Sequence, residues 1–247
     1  MRTPTRALAS LALAALATGS LGAFVVARSG HVDYKALMIT VALGIAAAWI
    51  GTGLYVWWRR PKKPVGPLMT WAGFAWLLNL FVAANSPTVF TLAVVTSNLY
   101  LAALVHLLLA YPNGLRCRLH VWLVQITYAF VLLAPIPILM SGGLYANCAA
   151  CPESVIQVTS STTVGTIGEV ATNVLAIVLA GVIVYALARR WRTATAPQRR
   201  TLAPMLWSGI ALIVLVALSI VTQTVAGDRV PGVLPLAGQI VFASIPF

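Results

Sequence analysis

Three cysteines, three histidines and four acidic residues are all the thiol, imidazole and carboxylate groups that 247 residues offer to metal, redox or acid–base chemistry. Two of the cysteines stand together in Asn147-Cys148-Ala-Ala-Cys151-Pro152. A pair at this spacing can be a structural staple, a redox disulfide or half of a four-ligand metal site. Zinc would need two further Cys or His ligands, and on the topology derived below only His31 lies on the same side, so no metal is expected. Cys117 falls on the opposite side. The enzyme alternative is a membrane thiol oxidase passing electrons from this pair to a quinone. Such proteins relay through a second cysteine pair, which the chain lacks.

Within the apolar stretches the polar side chains are Asn79, Asn98, His106, Gln125, Asn173 and Gln223, with no Asp or Glu. Ion-coupled carriers place a titratable or coordinating group in the bilayer, and His106 alone qualifies. It follows Asn98 by eight residues, roughly on one helical face, and reads as a helix–helix hydrogen-bonding group, as do the asparagines. The chain contains no His-Glu-x-x-His, no Gly-rich phosphate loop and no serine with a well-placed histidine; Ser208-Gly209 is a fragment of such a pattern. No catalytic residue, cofactor site or metal ligand is therefore assigned.

The elements that carry these residues follow from composition. With 60% apolar and 8% charged residues the chain is an integral membrane protein. Seven apolar runs are long enough to cross a bilayer: residues 7–27, 36–58, 67–84, 89–110, 121–140, 170–188 and 205–225. An eighth, 233–247, would reach only about 22 Å as a helix against a core of ~30 Å, and reads as a span cut short. Only helices or closed barrels satisfy backbone groups in lipid, and no run alternates as a barrel strand does. The expected fold is all-α, a polytopic transmembrane helical bundle of seven complete spans and a truncated eighth.

Orientation follows from the cations. Arg59, Arg60, Lys62 and Lys63 follow the second run, Arg116 and Arg118 the fourth, and Arg189, Arg190, Arg192, Arg199 and Arg200 the sixth. These alternate loops, with Arg2 and Arg6, belong in the cytoplasm. Asp33, Glu153, Glu169 and Asp228 then fall outside, against three opposing cations, Arg28, Lys35 and Arg229. The net charge of +12 is thus topological, and nucleic acid is not an expected partner. The longest loop, 141–169, lies outside. The first run ends its small-residue stretch at Ala15-Leu16-Ala17, as a cleaved signal would, but its apolar character continues through Val26 and favours a retained helix. Small residues at four-residue spacing, Ala15, Gly19 and Ala23 and then Gly44, Ala48 and Thr52, suit close packing within the bundle or in a homodimer. Pro135 and Pro137 should kink the fifth span or end its helix early.

Three segments then carry a resemblance. Tyr111-Pro112-Asn113-Gly114-Leu115-Arg116 after the fourth span resembles the aromatic-Pro-Ser/Asn-Gly segment in the N-terminal membrane regions of actinobacterial sensor histidine kinases. Cys148-Ala-Ala-Cys151-Pro152 is similar to their outer Cys-x-x-Cys-Pro loop. Arg190-Trp191-Arg192, followed by residues 196–204, is similar to their basic segment entering the next span. The match covers residues 60–247. It implies the input region of a two-component system in the cell membrane, whose kinase module, absent from these residues, would supply the phosphoacceptor histidine, ATP site and contact with a response regulator. His31, His106 and His120 do not stand in a phosphoacceptor context. The alternative from another class is a stand-alone multi-pass protein such as a small-solute transporter.

Overall fold

The computed structural model describes residues 5–111, 114–115, 117–142, 151–159, 161–193, 207, 209–218, 221, 239 and 242. Among them all regular structure is helical. Helices α1 (Thr5–Arg28) and α2 (Lys35–Arg59) each cross in one piece. The third crossing is α3 (Val65–Leu77) continued by a 3₁₀ segment, Leu78–Ala83. The fourth is divided into α4 (Pro87–Thr96) and α5 (Leu99–Ala110), and the fifth into α6 (Arg118–Leu133) and α7 (Pro135–Ser141). The sixth is α8 (Thr162–Thr193). Six helical stretches among the described residues are long and apolar enough to cross a membrane, which makes this a membrane protein with a helical-bundle fold.

A shorter apolar helix, α9 (Gly209–Leu218), lies within the seventh expected run. The rest of that run, apart from Trp207 and Val221, lies outside the described residues, as does all of the eighth except Gln239 and Phe242. The sixth crossing differs from its sequence boundaries. Its helix begins at Thr162, eight residues before the apolar run, so the expected 141–169 loop is shorter. Hydropathy marks where a helix meets lipid, not where its hydrogen-bond ladder starts, and the Thr-rich first two turns are helical without being apolar.

The fifth crossing is interrupted where the prolines predict. Ala134 keeps helical dihedrals and α7 resumes with Pro135 in its first turn, so the interruption reflects amide donors that proline lacks. At the end of α1, Lys35 Nζ donates to Ser29 O at 2.6 Å, placing a cation on the negative pole of that helix. Asn85 pins the same corner to the next connection: its Nδ2 donates to Arg28 O at 2.8 Å and its Oδ1 accepts from Gly30 N at 3.0 Å.

α2 and α3 pack most closely. An added Cβ on Gly53 would stand 2.6 Å from Thr70 N, and one on Gly66 2.5 Å from Trp57 N. Backbone thus meets backbone at these glycines. The small-residue pattern in the sequence pointed elsewhere in α2, to Gly44, where an added Cβ meets nothing within 4 Å. In α1 the packed glycines are Gly19, against Leu43, and Gly22, against Leu80. Large apolar side chains such as Leu13, Leu16 and Val174 face outward, as lipid contact requires. Exposed Tyr55, Trp58, Trp122 and Trp207 stand at the end of the bundle that carries the basic loops, where interfacial aromatics belong.

Candidate functional site

The third crossing finishes in its 3₁₀ segment, and the fourth loses regular α-helix in mid-bundle, where side-chain chemistry explains the loss. Thr96-Ser97-Asn98 puts three backbone-bonding side chains into an apolar run. Thr96 Oγ1 donates to Leu92 O at 2.9 Å and Ser97 Oγ to Val94 O at 2.8 Å. Ser97 N reaches only to Val94 O, three residues back, and Asn98 takes the non-helical φ −92°, ψ 5°. Asn79, in the 3₁₀ segment, satisfies the break: its Nδ2 donates to Ser97 O at 2.8 Å and to Trp76 O at 3.3 Å. A half-buried asparagine therefore supplies the donor that a freed carbonyl needs in a medium without water. Eleven residues from Pro87, at 1.5 Å each, set the break about 16 Å along a crossing of ~30 Å, near its middle.

Beside the break lies a cavity of about 1000 Å³. Asp33 and Tyr34 line one end, in the connection between α1 and α2. Tyr34 is exposed and holds a left-handed φ of 50°, an uncommon conformation for a residue other than glycine. Asn79, Asn98, Tyr100, Thr127, Asn173 and Gln239 supply polar atoms to the wall. The Asn98 carboxamide and the Tyr100 hydroxyl have no hydrogen-bond partner among the described residues, whereas Asn79 is committed to the break. Among the described residues no Lys, Arg or His lines the cavity.

Aromatic rings form one boundary. Phe242 stacks on Trp49 with centroids 4.6 Å apart and planes at 19°, and its ring lies 5.1 Å from those of Trp76 and Tyr100. Trp49 Nε1 donates to Phe242 O at 3.0 Å and Trp76 Nε1 to Ala42 O at 3.1 Å, so both indoles are satisfied inside the bundle. Gln239, three residues before Phe242, is itself on the cavity wall.

The sequence left Asn79, Asn98 and Asn173 scattered; the structure places all three on this cavity. His106 is not there. It packs edge-on against Tyr128 at 6.0 Å, away from the residues that line the cavity. Gln125 is exposed on α6, and Gln223 lies outside the described residues. His31 closes the α1–α2 corner, its Nδ1 3.4 Å from Ser29 Oγ and its Nε2 3.3 Å from Val82 O. Cys151 is disulfide-bonded, Cys117 is a free exposed thiol, and Cys148 lies outside the described residues. Among the described residues no three His, Cys, Asp or Glu side chains gather to hold a metal ion.

A second polar junction sits at the basic end. The half-buried Arg190 guanidinium, on the last turns of α8, donates to Leu108 O at 3.2 Å and Leu109 O at 3.0 Å, and also to Tyr111 O. It caps the C-terminus of α5, where Leu107 O and Ala110 O already accept from Tyr111 N and Gly114 N and the helix dipole is negative. Gly114, with φ +87°, then turns the chain in a conformation that glycine adopts without strain. Arg190→Met should lower stability by about 2 kcal/mol, the loss of charge-assisted bonds to carbonyls left unsatisfied. Arg190→Lys should recover only part, because an ammonium cannot reproduce the forked geometry. Thermal aggregation midpoints in detergent measure both, and equal stability of all three proteins would refute the clamp.

Comparison with protein-family models, with curated proteins and with solved structures finds no match.

Proposed function

We propose that this chain is the membrane-embedded input region of a sensor histidine kinase, set in the cell membrane with its N-terminus and basic loops in the cytoplasm. The observation that carries the reading is the shared wall of the cavity. The residues that break the fourth crossing face it from one side, and Gln239 with the aromatic contacts of Phe242 bounds it from another. A ligand there would favour one packing of the segment around Phe242 over another, and a shift of that kind is how a bundle passes occupancy along its chain. Two of the three segments that carry the family resemblance also adjoin, because Arg190 is bonded to Tyr111 O. A homodimer would bring two kinase modules together, and a response regulator would be met only through them. Lipid is the partner of the exposed apolar faces.

The coding sequence past Phe247 tests this. An in-frame kinase module whose autophosphorylation changes when the bundle is deleted supports the proposal. A module indifferent to that deletion, or a stop codon directly after Phe247, overturns it.

The mid-crossing break favours a second reading, a small-solute transporter. Discontinuous helices beside a cavity are how many carriers expose backbone groups to substrate. Solute uptake into proteoliposomes containing only this chain separates the two, since a sensor region accumulates nothing.

A further inference from the structure

The cavity has a chemical character that its walls define independently of the sensor reading. Among the described residues its wall carries no cation, and the one carboxylate there, Asp33, is exposed at the α1–α2 end. An anionic ligand would find no counter-charge and would meet Asp33 on entry. A cationic head drawn deep into the bundle would leave Asp33 behind and find no second acid among the described residues, and an unpaired buried charge is costly. A neutral head pays neither penalty.

Polar groups are nonetheless ready for that head. The Asn98 carboxamide stands at mid-crossing depth with two donors and an acceptor uncommitted, and the Tyr100 hydroxyl, two residues on, also lines the space unpaired among the described residues. The surroundings are apolar: Leu37, Met38, Val41, Leu101 and Val105 face the same volume. At about 1000 Å³ the space sits at the upper end of the ~300–1,000 Å³ range of small-molecule sites.

We propose that this cavity binds a neutral, lipid-soluble molecule with a hydrogen-bonding head group, its head held by the Asn98 carboxamide and the Tyr100 hydroxyl and its apolar body lying among the leucine and valine side chains. The head both donates and accepts, as a phenol or alcohol does. Asn79 is not part of the recognition set, since its amide closes the helix break.

The test uses the purified chain in phosphatidylcholine nanodiscs and three probes of one shape: para-octylphenol, para-octylbenzoate and para-octylphenyltrimethylammonium. Equilibrium dialysis measures binding, with empty nanodiscs subtracted for simple partition into lipid. The phenol should bind saturably, one per chain, and the two ions at least tenfold more weakly. Asn98→Leu should weaken the phenol about tenfold, the equilibrium equivalent of a hydrogen bond near the upper end of its net worth. Asn98 makes no side-chain cap, so this variant should fold. Leu101→Trp, which fills the cavity from its wall, should abolish saturable binding while leaving the thermal midpoint close to that of the parent. Phenol uptake no greater than in empty nanodiscs would overturn the proposal. So would an ion that binds as tightly as the phenol, or undiminished affinity in both variants. None of these outcomes bears on whether a kinase module follows the bundle.

Discussion

Gly66→Val lowers the thermal midpoint of the detergent-solubilised protein more than any other single substitution on the α2–α3 face. The first added carbon would stand 2.5 Å from Trp57 N and 2.7 Å from Trp57 Cα. Both are backbone atoms of a helix, so no side chain can swing aside to make room. The helices must move apart, and the neighbouring contact at Gly53, whose own Cβ position lies 3.1 Å from Gly66 O, opens with them. Overpacking of this kind costs about 3 kcal/mol. Gly44→Val is the matched control on α2, with open space around it and an expected change within about 0.5 kcal/mol. Similar midpoints for the two variants would show that α2 and α3 do not approach as described.

Phe242→Ala should detach the segment that bounds the cavity. The ring is almost fully buried at 1% exposure and touches Trp49, Trp76 and Tyr100. Removing it costs about 3 kcal/mol, the low end for phenylalanine truncation, because lipid or detergent tails can solvate the freed faces. Two readouts report it. Tryptophan emission should change as Trp49 and Trp76 lose their stacking partner, and hydrogen exchange should rise around residue 242 with α1 and α2 unaffected. Phe242→Leu should keep more of the docking than Phe242→Ala. Emission and exchange identical to the parent in both variants would mean that Phe242 does not hold this segment in the bundle.

Much of the frame was legible in sequence order. The runs at 7–27 and 36–58 correspond to α1 and α2 within two residues at each end, and the proline interruption of the fifth crossing falls where Pro135 forces it. These features are local. A backbone in lipid must satisfy its own hydrogen bonds, so an apolar run of sufficient length becomes a helix whatever its neighbours are, and proline removes a donor wherever it stands. The division of the fourth crossing at Ser97 and Asn98 was within reach too, because Thr96-Ser97-Asn98 is the one cluster of backbone-bonding side chains in that run. Mean hydropathy averages such a triplet away, and Asn98 taken alone reads as a helix–helix hydrogen-bonding group.

Other features depend on pairs of residues far apart in the chain. Nothing local distinguishes Gly66, which meets Trp57, from Gly44, which meets nothing. Nor does the sequence near Asn79 show that its amide will close a break 18 residues later, or the sequence near Arg190 that its guanidinium will cap a helix ending 80 residues earlier. The sequence by itself determined that this is an all-helical membrane protein, with its cations gathered in alternate connections, since solvation by lipid and interfacial charge act on each segment alone. Only the tertiary structure decided which glycines become contacts, which asparagine is spent on the backbone and which faces a cavity. Those outcomes depend on the facing side chains of other helices, and a one-dimensional pattern does not contain that pairing.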